Sequence, residues 1–118
     1  MKLVIQRVNK ASVTVKNTNK VVGKIEKGLF ILFGVKKGDT KEKVDELVVS
    51  QFTLYANTKD GNRPSFIEVE EPIKAKEIYE YFIEKLKLKN IHVETGEFGE
   101  YMEIDTFLDG PVTIILEN

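Results

Sequence analysis

The chain has no cysteine, a single histidine at position 92 and only two arginines, Arg7 and Arg63. Without cysteine there can be no disulfide, no thiolate metal site and no cysteine nucleophile, and the usage fits a reducing compartment. One histidine cannot build a histidine-rich zinc site. His92 lies in Ile91-His92-Val93-Glu94, where alternation turns it away from its apolar neighbours, so it reads as a solvent-facing strand residue and not as a general base. With sixteen of the eighteen cations being lysine, bidentate recognition of phosphate or carboxylate can come only from Arg7 and Arg63. Long apolar runs are also missing. The longest, Leu29 to Phe33, is far short of the roughly 20 residues that span a bilayer. Residues 1–7 alternate instead of forming a leader core, so the expected location is the cytoplasm.

What is present describes one soluble domain. The 118 residues are 42% hydrophobic and 31% charged, enough for a modest core. A net charge of −1 gives no global basic field to attract DNA, RNA or an anionic membrane. Glycine spacing matches no Walker loop, dinucleotide fingerprint or nucleophile elbow. Glu103 and Asp105 share a strand face, which is the ordinary pattern of a solvated pair and not of two catalytic carboxylates.

The periodicity predicts alternating strands with two helices, a mixed α/β fold dominated by antiparallel pairing. Residues 2–8 and 11–16 alternate apolar and polar side chains and suggest an opening hairpin, with Leu3, Ile5, Val13 and Val15 facing the core. A polar turn at 17–20 leads to a strand at 21–25 and then to a buried central strand at 29–35. Asp39 with Glu42 resembles a capping box that starts a short helix over roughly 40–46. Pro72 opens the better helix, in which Ala75, Ile78, Tyr79, Phe82, Ile83 and Leu86 follow a 3.6-residue period and Lys85, Lys87 and Lys89 suit the C-terminal dipole. Strands follow at 91–95, 101–108 and 112–116.

Two segments interrupt this pattern. Ser50 and Gln51 stand in an apolar strand-like run, where their desolvation has to be offset by hydrogen bonds. Gly110-Pro111 makes a corner directly before the run Val112 to Leu116. On residue chemistry alone either is architecture or pocket. Backbone N–H groups near Gln51 and Phe52, beside a hydroxyl and an amide, could stabilise an oxyanion without a triad.

Taken together, Gln6-Arg7-Val8, Gly34-Val35 with Gly38-Asp39-Thr40, Ser50 to Ala56, Arg63-Pro64-Ser65-Phe66, Val93 to Gly96 with Phe98-Gly99, and Gly110-Pro111-Val112-Thr113 resemble the D-aminoacyl-tRNA deacylases, in that family's order. The resemblance implies a single-domain, homodimeric, cytoplasmic hydrolase needing neither cofactor nor metal. Its partner would be the aminoacylated 3′ end of tRNA, not DNA and not a membrane. It would cleave the ester of a D-amino acid, or of glycine mischarged on alanine tRNA. Ser50, Gln51, Phe52 and Thr53 would form the catalytic pocket floor. Gly110-Pro111 would be cis and would reach into the partner's site, where its carbonyl oxygens hold the substrate amino group and exclude L-amino acids. Proline suits that role because it alone adopts cis at low cost. Val112 and Thr113 would continue this substrate-binding element, Arg63 would contact the pocket rim or a phosphate, and Arg7 would support the site from its strand. The terminal ribose 2′-hydroxyl would assist the attacking water, so Ser50 need not be a nucleophile.

The chain departs from that pattern at a few places. The family carries about thirty more residues between the positions of Glu46 and Leu47, and the chain is correspondingly short. Asn62 stands where an arginine is common, and Leu108 where asparagine is frequent. A remnant that binds an aminoacyl-tRNA end without turnover is therefore the alternative reading, and a plain interaction module the structural one.

Overall fold

The structure, a computed structural model, describes residues 1–41, 44, 49–50 and 69–117. Its elements are β1 (Lys2–Val15), β2 (Lys20–Ile25), β3 (Gly28–Gly34), β4 (Val49–Ser50), α1 (Pro72–Leu88) and β5 (Met102–Glu117). They form a mixed α/β domain with one sheet, in which β2, β1, β3 and β4 follow one another and β5 pairs with β1. All pairs are antiparallel except β3 with β4.

The expected opening hairpin is instead one strand. β1 runs unbroken for 14 residues, pairing with β3 through its first half and with β2 through its second, and β5 accompanies it throughout. Buried positions fall at 3 and 5, then at 8, then at 11, 13 and 15, and the two three-residue steps about Val8 signal a bulge as readily as a turn. The ladder with β5 slips at that point, with Val8 opposite Leu108 and Lys10 opposite Phe107. Likewise the runs expected at 101–108 and 112–116 are one strand, β5, with the Gly-Pro step inside it.

Helix α1 follows the period read from the sequence. Pro72 takes its first position, and Ala75, Ile78, Tyr79, Phe82 and Leu86 are buried. They meet Leu3 and Ile5 of β1 and Ile31 and Phe33 of β3 in the larger core, where the fully buried Phe33 and Phe82 rings stack at 4.7 Å. Beyond the C-cap Lys89, Asn90 takes a left-handed φ of 60°, a common way to end a helix. A smaller cluster of Val8, Ala11, Val13 and Phe30 fills the other end of the sheet.

The segment 91–95, expected as a strand, joins no ladder. Instead Val93 is buried in the helix-side core, and the backbone of Thr95 lies so close to β2 that a Cβ on Gly23 would stand 2.7 Å from the Thr95 carbonyl oxygen. Thr95 also shares a side-chain hydrogen bond with the buried Tyr79, whose hydroxyl is nevertheless pushed up to about 12 by burial. His92 is exposed, as expected.

Asp39 is buried, and its role differs from the expected cap. Its Oδ2 accepts a hydrogen bond from the Lys36 backbone N–H at 2.8 Å and pairs with the Met1 ammonium at 2.6 Å. Most of the short helix expected over 40–46 lies outside the described residues.

Candidate functional site

The bulge in β5 is built by register. Gln6 faces Thr113 and Val8 faces Leu108, so Asp109, Gly110, Pro111 and Val112 together stand opposite the single β1 residue Arg7. A strand that carries surplus residues against its neighbour must push them out of the ladder. Their backbone groups then become available to something other than the sheet.

Chemistry at the bulge fits that geometry. The Gly110-Pro111 peptide is cis. Gly110 has φ +122°, a region that L side chains rarely adopt, and a Cβ there would stand 3.1 Å from both the backbone N and Cγ2 of Val112. Arg7 Nη2 is 3.4 Å from the same point. The Arg7 guanidinium holds the base of the bulge, with Nε donating to the Asp109 carbonyl oxygen at 3.3 Å and lying 3.2 Å from Asp109 Oδ2. Below it, Gln6 Nε2 donates to Thr113 Oγ1 at 3.5 Å. Both members of the Arg7–Asp109 pair are about half exposed, 51% and 46%, so it serves to orient more than to stabilise.

Of the residues expected to form the site, Arg7, Gly110, Pro111, Val112 and Thr113 are thus brought together. Ser50 is not among them. It sits on β4 opposite Phe33, which faces Leu3, which in turn faces Leu116, so Ser50 is in line with the end of β5 and not with its bulge. Counting four residues along β1 and three strand spacings across puts Ser50 and Gly110 on the order of 20 Å apart along the sheet. Gln51, Phe52, Thr53 and Arg63 lie outside the described residues. Sequence reasoning passed over Asp109 and Gln6 as site residues. The signal for Asp109 was its place directly before Gly110, where a carboxylate can reach the opposing arginine.

The bulge also interrupts an apolar edge. Leu108, Val112, Ile114, Ile115 and Leu116 are between 38% and 63% exposed on β5, which among the described residues pairs only with β1. Among the described residues no group of three or more acidic or histidine side chains could hold a metal ion. No described helix is long and apolar enough to cross a membrane.

Likeness to known proteins identifies the family to which this α/β domain belongs. The family model described as D-Tyr-tRNA(Tyr) deacylase matches residues 4–48 and 43–117. A D-aminoacyl-tRNA deacylase of Lactobacillus gasseri is 45% identical, the match covering 99% of this chain and 99% of that one. One from Aquifex aeolicus is 44% identical, covering 100% and 98%. Among solved structures, one described as a c-Myc DNA unwinding element binding protein superposes with a TM-score of 0.85 at 31% identity, covering 100% of this chain and 99% of the other. A probable eukaryotic D-amino acid tRNA deacylase matches with a TM-score of 0.81 at 14% identity, a likeness of fold. The chain belongs to the D-Tyr-tRNA(Tyr) deacylase family.

Proposed function

We propose that this chain is a D-aminoacyl-tRNA deacylase that works as a homodimer, each site combining the Ser50 strand of one protomer with the Gly110-Pro111 bulge of the other. Hydrolysis adds water to the ester carbonyl and breaks the bond to the ribose oxygen, releasing the free D-amino acid and restoring the tRNA 3′-terminal hydroxyl. Backbone N–H groups of Gln51 and Phe52 stabilise the developing oxyanion, Ser50 and Thr53 shape the pocket floor, and Arg63 lies at its rim. The carbonyl oxygens of Gly110 and Pro111 hold the substrate amino group. An L-enantiomer, with its side chain and amino group exchanged, meets backbone where it needs space. Glycine, lacking a side chain, escapes this rejection, so glycyl-tRNA is a second substrate.

The observation that carries the reading is the separation of Ser50 from Gly110. Two halves of one site cannot act on one ester carbon from on the order of 20 Å, whereas the bulge of a second copy is not held at that distance by the register of this sheet. The exposed run Ile114 to Leu116 supplies the apolar surface such an interface needs. The alignment with the Lactobacillus gasseri relative runs over 146 residues against 118 in this chain, and the family model matches in two pieces, 4–48 and 43–117, which is consistent with the family's extra residues belonging near Glu46 and Leu47.

A time course of D-tyrosyl-tRNA and L-tyrosyl-tRNA hydrolysis, with protein whose intact mass matches 13.5 kDa, tests the activity. Loss of the D-ester alone is expected. Binding of a non-hydrolysable D-aminoacyl-adenosine without turnover would instead favour the binding remnant. Sedimentation on the same sample tests the dimer, and a monomer that retains activity would refute the shared site.

A further inference from the structure

The corner between β3 and α1 sorts its charges by sign. Asp39 and Glu70 are the two polar or charged side chains buried among the described residues, at 2% and 9% exposure, and both belong to this corner. Their carboxylates are satisfied internally. Asp39 takes the Met1 ammonium and the Lys36 N–H. Glu70 accepts from the Gly38 and Glu71 N–H groups and pairs with Lys74 at 3.0 Å. The lysines of the same turn, Lys36, Lys37 and Lys41, point outward and are exposed. Among the described residues no ion pair engages them, and the two buried acids of the corner are committed to other partners.

A second observation gives this surface a shape. The ammonium groups of Lys41, from the turn, and Lys85, from α1, stand 5.5 and 5.3 Å from the centroid of one half-buried ring, that of Tyr81. Two cations from different elements thus meet at one ring, with Glu77 and Glu84 the exposed carboxylates one turn to either side on the helix. An anion bound beside the ring can pair with both ammonium groups.

We infer that Lys36, Lys37 and Lys41 of the turn, with Lys85 beside Tyr81 on α1, form a contact surface for the phosphodiester backbone of the tRNA substrate, away from its aminoacylated end. The inference rests on the deacylase reading for the identity of the RNA. Lysine suits the task, since a backbone contact needs point charge and not a bidentate fork. It also reconciles an RNA substrate with a chain of net charge −1, because a local excess of cations suffices where acids are turned inward.

The test separates this surface from the catalytic reading. Binding of uncharged tRNA is measured between about 50 and 200 mM salt for the wild type, for Lys41→Gln/Lys85→Gln and for Lys20→Gln/Lys24→Gln on β2, with thermal melts to confirm that each is folded. The first pair is expected to weaken binding about threefold to tenfold and to lower the log–log salt slope by one to two, the control pair to change neither. With D-tyrosyl-tRNA the KM should rise by the same factor, whereas hydrolysis of a D-tyrosylated CCA trinucleotide stays at the wild-type rate. Wild-type affinity and slope in Lys41→Gln/Lys85→Gln, or an equal loss in the control, overturns the inference. If wild-type protein hydrolyses neither substrate the deacylase reading fails, while the binding series still judges the surface.

Discussion

Two charged pairs, one at the start of the first strand and one near its middle, do opposite work. At Arg7–Asp109 both partners are half exposed and hold a bulge that the ladder has rejected. At Met1–Asp39 both partners are nearly inaccessible and tie the start of β1 to the turn that follows β3. Water screens the first pair, so its worth lies in where it aims the backbone of Gly110. The second pair has little water to fall back on, so loss of either partner has to be felt in stability. Proximity to the proposed chemistry and contribution to stability therefore run in opposite directions along one strand.

Substitutions can break that contrast, and the largest expected effect is at the buried end. Asp39→Ala removes the buried carboxylate that the Met1 ammonium and the Lys36 N–H share and should cost about 3–5 kcal/mol in urea unfolding. A cost below 1 kcal/mol would mean that water reaches the pair and the contrast is false. Gly110→Ala comes next. It forces a side chain into a φ of +122° against Val112, at a local cost of roughly 1–3 kcal/mol, and should reduce D-ester hydrolysis at least tenfold. Wild-type hydrolysis in this variant would remove the bulge from the mechanism.

Arg7→Lys sharpens the comparison, because it keeps the charge and loses the planar fork. Stability should change by no more than about 1 kcal/mol while D-over-L selectivity falls, measured on matched tyrosyl-tRNAs. Equal losses in both would make Arg7 a structural residue like Asp39. A smaller effect is expected from pH at Glu70. Lys74 first, then the N–H groups of Glu71 and Gly38, hold its carboxyl below the ordinary 4.5, against the opposing effect of burial. A depressed carboxyl contributes stability that is present above its ordinary value and lost as pH falls through the lowered one. Glu70→Gln should therefore flatten the acid limb of a stability profile below about pH 4.5. An unchanged limb would assign acid sensitivity elsewhere. Smallest of all, Lys16→Ala breaks an exposed contact to Glu103 of 2.6 Å and should leave the melting temperature unmoved.

Reading the residues alone determined helix α1 almost to its ends, because five buried positions at one period and a proline at the first turn leave little alternative. It also located the antiparallel sheet, the exposed histidine and, through the resemblance, the family and the cis step at Gly110-Pro111. Only the tertiary structure decided that 2–15 is one strand, since a break in alternation reads the same whether the chain turns or bulges. It decided that 91–95 joins no ladder, since alternation is a property of the segment while a ladder needs a neighbour within reach. It gave Asp39 to the Met1 ammonium and Asp109 to Arg7, pairs that span 38 and 102 positions of the chain. Local pattern encodes how much of a segment is buried. Which distant group meets a carboxylate there is settled by the register of strands, and no local pattern carries that information.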